Sequence, residues 1–470
     1  MKTDLSEKES NHNTPKQRRP VFGLIHLNEG ICKRNYIGSL IHACVLGFFM
    51  SGVELIQQNL LLDPDYFHLG SKEAIQFNAL ITLEDLFIKI CVTPFYGIMV
   101  DKIGRQKSLM IGYFLITGAI MLFPLQFYFP AFKHIGWYFG ARFIYSNGSG
   151  IIPIIPLVAD YVEDRSLGKA IGFNVFSMTV GFSLSTSIIK AMEDYNLFYT
   201  CAVFAGFIFV VGFTYTLLLK SGNTYYKRTH DPENMDSNTY NRPSQGMINS
   251  SKMTKGSLIK HDCVTKPWIM VGYIFAFLNG IGLAITSQLL NLYVQSFDDP
   301  NVKALGAITV FKSNITSTAT SLIFGPLLDF IKPLYIAILT FSVTILSYSN
   351  AWTITDPNDW PLTLIAIGVG MGYACTQLLT NYLGFKNYRR SIRGLLFAIA
   401  NIFIVSGVIF VSVIGGTLFR YFDRNWPFYI AGGCSSLGFL VFIFIYCKYI
   451  IKEEKEDKEG EKTPLLDSPN

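Results

Sequence analysis

Half of the 470 residues are hydrophobic and only 15% are charged. Soluble domains carry roughly 25% charged residues, and uncharged runs of about 20 residues recur along this chain, so a water-soluble multidomain enzyme is excluded. The net charge of +6 would suit a nucleic-acid partner, but the placement of the basic residues explains it otherwise, and no nucleic acid is expected.

Residues 1–35 read as a cytosolic N-terminal tail, of which the first 20 are polar and hold no apolar core of a cleavable signal peptide. Six candidate spans follow, at 36–61, 76–100, 107–129, 137–160, 169–190 and 196–219. Residues 220–266 are rich in Ser, Asn, Thr, Lys and Asp and read as a mostly flexible linker. Six further spans are expected at 267–292, 304–328, 334–351, 361–384, 394–418 and 427–449. The tail 450–470 is a mixed-charge run. In hydrocarbon the backbone must satisfy its own hydrogen bonds, so these spans are helices. Of the 39 Lys and Arg residues, 30 fall in the tails, the linker and the loops on the same side; 6 fall in the opposite loops. That asymmetry puts both termini in the cytosol. The eight cysteines suggest no disulfide framework.

Between the second and third spans lies Gly97-Ile-Met-Val-Asp101-Lys102-Ile-Gly104-Arg105-Gln-Lys107. A partial echo, Gly325-Pro-Leu-Leu-Asp329, stands 228 residues after Gly97. Two helices turning back on each other need small residues where backbones approach, which suits Gly97 and Gly104. Asp101 lies near a helix C-terminus, where a negative charge needs compensation. The pattern G-x-x-x-D-(R/K)-x-G-(R/K) resembles the signature of major facilitator superfamily transporters. The resemblance implies an all-α membrane protein of twelve transmembrane helices in two six-helix pseudo-symmetric bundles, 36–219 and 267–449. It also implies alternating access to a central cavity. Gly97, Asp101, Lys102, Gly104, Arg105, Gly325 and Asp329 would then form a cytosolic gate. Arg105 and the loop around Arg389, Arg390 and Arg393 are candidate partners of Asp101. Arg142-Phe-Ile-Tyr-Ser-Asn-Gly148-Ser-Gly150 resembles the Arg-plus-glycine pattern of the fourth facilitator helix. The drug-antiporter, sugar-porter and peptide-transporter signatures are missing, so no subfamily is assigned.

Ionisable groups inside membrane spans cost several kcal/mol unless paired, so they are where solute or ion chemistry is sought. Glu54 shares a stripe with Ser51 and Gln58, and Asp85 and Lys89 share one with Asn78 and Thr82. Glu54 and the Glu84–Asp85 pair lie about 27 Å and about 23 Å from the inner ends of their spans, close enough in depth to cluster. Such a cluster suits proton coupling. Lys312 precedes Gly325 by the same 13 residues that separate Glu84 from Gly97, which puts an acid and a base at equivalent depth in the two halves. Glu54, Glu84, Asp85, Lys89, Arg142 and Lys312 are therefore the substrate or coupling-ion candidates. Lys312 with Arg142 would suit an anion; the acids would suit a cation or protons. His42, among Leu46, Phe49 and Val53, reads as a packed histidine.

No phosphate loop, metal-ligand spacing or HExxH is present. Neither a cofactor, a metal nor an enzymatic activity is expected. The expectation is a secondary transporter of a small organic solute, proton-coupled. Its rivals are a uniporter, and a transporter-like receptor or trafficking partner. The expected home is the plasma membrane or an endosomal/lysosomal membrane. The ending Glu461-Lys-Thr-Pro-Leu465-Leu466 resembles the acidic dileucine signal read by clathrin adaptors.

Overall fold

The computed structural model describes residues 20–62, 66–67, 69–129, 135–152, 157–192, 195–219, 266–297, 302–388 and 393–450. The linker, the C-terminal tail with its dileucine, and positions 389–392 lie outside the described residues. The first six rods are α1 (Lys33–Leu62), α2 (Ser71–Ile103), α3 (Arg105–Tyr128), α4 (Ile135–Ile151), α5 (Leu167–Ala191) and α6 (Leu197–Thr216). A short helical segment, Leu157–Tyr161, stands between α4 and α5. The second six start with α7 (Pro267–Ala284), which passes through a π-helical turn, Ile285–Leu289, into Leu290–Gln295. Next come α8 (Val302–Leu327), α9 (Pro333–Ser349) and α10 (Trp360–Asn387). α11 (Arg393–Ile409) has its own π turn, Phe410–Gly415, before Gly416–Tyr421, and α12 is Trp426–Ile445.

Local chemistry sets the ends. Proline occupies the first helical turn of α7, α9, α10 and α12, where its missing N–H costs nothing. Asn196 caps α6 by accepting from Phe198 N–H at 2.9 Å. Gly104 alone separates α2 from α3, at φ +88°, a backbone state that side-chain-bearing residues avoid.

Among the described residues, nine rods are long and apolar enough to cross a membrane. The three that fall short are α2, α4 and α8, the rods carrying Glu84, Asp85, Lys89, Arg142 and Lys312. Their polarity is sheltered inside, while large side chains such as Phe87, Phe95, Phe114 and Leu440 cover the outside, as lipid requires.

The two halves pack alike. α1 crosses α5, and α7 crosses α11. At the first crossing Gly47 and Gly181 lie against the Met178 and Cys44 carbonyls; at the second, Gly280 and Gly407 lie against those of Ile404 and Phe277. None of the four has room for a Cβ, so the backbones touch. In the first half α3 packs on α4 and α6; in the second α9 packs on α10 and α12. The halves meet chiefly through α5 on α8 and α2 on α11.

Part of the expected N-terminal tail is built into the fold. Residues 20–31 strap across the turn between α4 and α5. Asn28 donates to the Asp160 and Val162 carbonyls at 3.0 and 3.2 Å, and His26 N–H donates to Ser166 Oγ at 3.0 Å.

Candidate functional site

Tyr138, Arg142, Tyr145 and Ser149 recur on α4 at steps of four, three and four, which puts them on one helical face. Asn78, Thr82, Asp85 and Lys89 repeat the same steps on α2. α2 packs on α4, so the two polar faces meet, and Glu54 reaches them from α1. Arg142 is 2% exposed. Its Nη2 stands 3.5 Å from Glu54 Oε1, and its guanidinium lies 4.8 Å from the centre of the Tyr145 ring. Lys89 Nζ donates to Asp85 Oδ2 at 2.5 Å.

These groups form one wall of a cavity between the halves. Glu54, Asp85, Lys89 and Arg142 line it with Thr82, Tyr145 and Ser149. The facing wall comes from α7 and α11: Leu283, Ile404, Val405 and Val408, with the neutral polar Ser287, Gln288 and Asn401. All four charges therefore come from the first half. The π turn of α7 supplies Ser287 and Gln288, in keeping with the frequent use of such turns at functional positions.

Contacts join the two halves on either side of the cavity. At the end bearing the Gly104 turn, Asp329 lies just beyond α8 and accepts from the N–H groups of Gly168 and Lys169, at 2.7 and 3.1 Å. It thus caps the N-terminus of α5 across the two halves. Burial holds the Asp329 carboxyl above its ordinary value, against the lowering pull of those N–H groups and of Lys169. Alongside, Gly168 and Gly172 of α5 touch Gly325 of α8 with no space for a Cβ. At the far end an amide lattice joins the halves. Gln57 donates to Asn78 at 2.5 Å and Asn78 to Gln288 Oε1 at 3.4 Å; Ser412, from the π turn of α11, donates to the same oxygen at 3.0 Å. Asn291 donates to Gln58 at 3.0 Å.

The sequence-derived candidates divide accordingly. Glu54, Asp85, Lys89 and Arg142 come together. Glu84 is near but does not line the cavity. Lys312 is elsewhere: its Nζ donates to Thr363 of α10 at 2.9 Å. His42 is buried in the first half, 2.7 Å from the Tyr215 hydroxyl and 3.3 Å from that of Tyr113. Arg105 pairs with Asp160 at the turn before α5. The side chains of Asp101, Lys102 and Arg393 lie outside the described residues, as do Arg389 and Arg390. Among the described residues nothing approaches Gly97 closely, since a Cβ there meets no atom within 4 Å. The crowded contact sits instead at Gly168, Gly172 and Gly325. The Gly168-x-x-x-Gly172 spacing was a readable sign of it. The Arg142–Glu54 pairing had no sequence signal.

The Major Facilitator Superfamily model matches residues 36–311 and, again, 276–468. The chain belongs to the major facilitator superfamily. It is accordingly a multi-pass integral membrane protein of a transporter family. Among curated proteins, this facilitator is 21% identical over 435 residues to magnetosome protein MamH of Paramagnetospirillum magneticum, covering 88% of this chain and 92% of that one. It is 21% identical over 359 residues to multidrug resistance protein 1 of Bacillus subtilis, covering 74% and 82%. Its fold matches the human organic anion transporter MFSD10 at 12% identity and a TM-score of 0.61, covering 87% of this chain and 98% of that one. It also matches the proton:xylose symporter XylE, bound to 6-bromo-6-deoxy-D-glucose, at 14% identity and 0.64, covering 89% and 95%. At these identities the solved structures speak for the fold alone.

Proposed function

We propose that this facilitator is a proton-coupled secondary transporter of a small organic solute, with its termini and the Gly104 turn in the cytosol. The observation that carries the reading is the Glu54–Arg142 pair, placed in a cavity between the two halves and held by one 3.5 Å contact. Two charges withdrawn from water are costly, and a long contact recovers little of that cost. A carboxylate so placed is suited to exchange a proton when its counter-ion is engaged elsewhere. The family contains a proton:xylose symporter, XylE. The latch at Asp329 then lies at the inner mouth and the amide lattice at the outer mouth.

The purified protein is first screened by thermal shift against organic anions, organic cations, sugars and amino acids, at about pH 5.5 and about pH 7.5. A solute that raises the melting temperature is then followed by counterflow in liposomes. An imposed proton gradient is expected to drive its accumulation, and Glu54→Gln is expected to leave exchange but abolish that drive. Exchange that ignores the gradient in the wild type would establish a uniporter. The self-contained Asp85–Lys89 pair, neutral within one helix at 2.5 Å, favours that second reading. Binding without exchange would establish a receptor.

A further inference from the structure

We propose that the cavity binds a small monocarboxylate with an apolar tail, its carboxylate replacing Glu54 on Arg142. The coupling part of this rests on the transport reading above; the binding part does not. Arg142 is the loosely held cation of the cavity. Among the described residues its Nε and Nη1 have no hydrogen-bond partner, and neither does Glu54 Oε2. Lys89, by contrast, is already engaged at 2.5 Å. A guanidinium with unused donors matches the planar acceptor pair of a carboxylate. Phe49, Met50, Leu283, Ile404, Val405 and Val408 supply the apolar surface for a tail.

Charge decides the sign of the ligand. Glu54, Asp85, Lys89 and Arg142 sum to zero when ionised. A cation that captured Glu54 would strand Arg142, which cannot shed its proton. An anion that captures Arg142 strands Glu54, which can take one up and become neutral. The groups around Glu54 are Arg142, Tyr138 and Tyr145 of α4, and Asp85 and Lys89 of α2, with Glu84 acting on the same Arg142 and Asp85. α7 and α11 present only the neutral Ser287, Gln288 and Asn401. An unpaired Glu54 carboxylate beside Asp85 is the arrangement such surroundings oppose. One proton from solution therefore joins Glu54 for each carboxylate bound, and the pair crosses without net charge.

The test uses the purified full-length protein with hexanoate, hexanamide and hexylammonium as probes. Binding is followed by melting temperature and titration, and proton uptake by a pH indicator in weak buffer. Hexanoate alone is expected to bind, taking up about one proton and tightening about tenfold for each unit fall in pH. Glu54→Gln is expected to bind hexanoate tightly at all pH values without proton uptake. Arg142→Gln is expected to lose it. Binding of hexylammonium in preference to hexanoate, no binding of hexanoate at all, or an unaltered pH slope in Glu54→Gln would overturn the proposal. Proton-driven exchange of another solute with hexanoate silent sinks this inference alone. Hexanoate binding without any exchange sinks the transport reading alone.

Discussion

Two carboxylates hold this molecule in different ways. Asp329 accepts two backbone N–H groups at 2.7 and 3.1 Å, whereas Glu54 has one guanidinium contact at 3.5 Å. The tight contact belongs to a latch and the loose one to a cavity. Opening the latch would return Asp329 to water and its carboxyl to the ordinary value. Burial holds it higher in the closed form, so the closed form binds the proton more strongly. Lowering the pH through the carboxylate range should therefore favour the closed latch. Spin labels on Arg165→Cys and Lys332→Cys, in a background lacking the native cysteines, should move together as pH falls. With Asp329→Asn added, the distance should no longer respond; a persisting response would mean that another group governs the latch.

Individual helices show why some rods are polar and others are not. α2 and α8, at 33 and 26 residues, are long enough to cross, and with α4 they carry polar faces into the protein. α7 is the mechanical counterpart, since its π turn aims Gln288 at Asn78 and Ser412 together. Gln288→Ala removes the Asn78 bond between the halves and the Ser412 bond within the second half, and leaves the bonds from Gln58 to the residue 288 carbonyl and from Asn291 to Gln58. At about 0.5–1.5 kcal/mol for the one crossing bond lost, the open population of the far gate should rise by a few-fold, on the order of two- to tenfold. The modification rate of Ser287→Cys by a membrane-impermeant thiol reagent from the outer side reports it, and an unchanged rate would remove the lattice from gating. The rods themselves were legible in the sequence because hydropathy is summed over about 20 residues and survives local exceptions. So was the face shared by Asp85 and Lys89, because i,i+4 neighbours need no tertiary knowledge. The 88-residue link from Glu54 to Arg142 was not, since it depends on the relative rotation of α1 and α4. The strap at 20–31 was legible in part, since Val21, Ile25 and Ile31 are apolar and buried in the core, but the Asn28 bonds to the turn before α5 carry no mark in the sequence.

Across the whole molecule the two halves repeat an architecture but divide its tasks. The glycine-lined crossings α1–α5 and α7–α11 are counterparts. Every charge in the cavity comes from the first half, while the π turns at 285–289 and 410–415 both lie in the second. A π turn is one residue too many for the α-helix around it. It can migrate along the rod like a dislocation through a crystal, turning each residue it passes by about 100°. Moved by one position, it would swing Gln288 off the lattice without breaking the rod. Deuterium exchange should accordingly be faster at 285–289 and 410–415 than in the unbroken α1 and α5, and equal rates would argue against such slippage. On this view the first half is the fixed electrode of the molecule, and the second half carries the defects that let it shift gear.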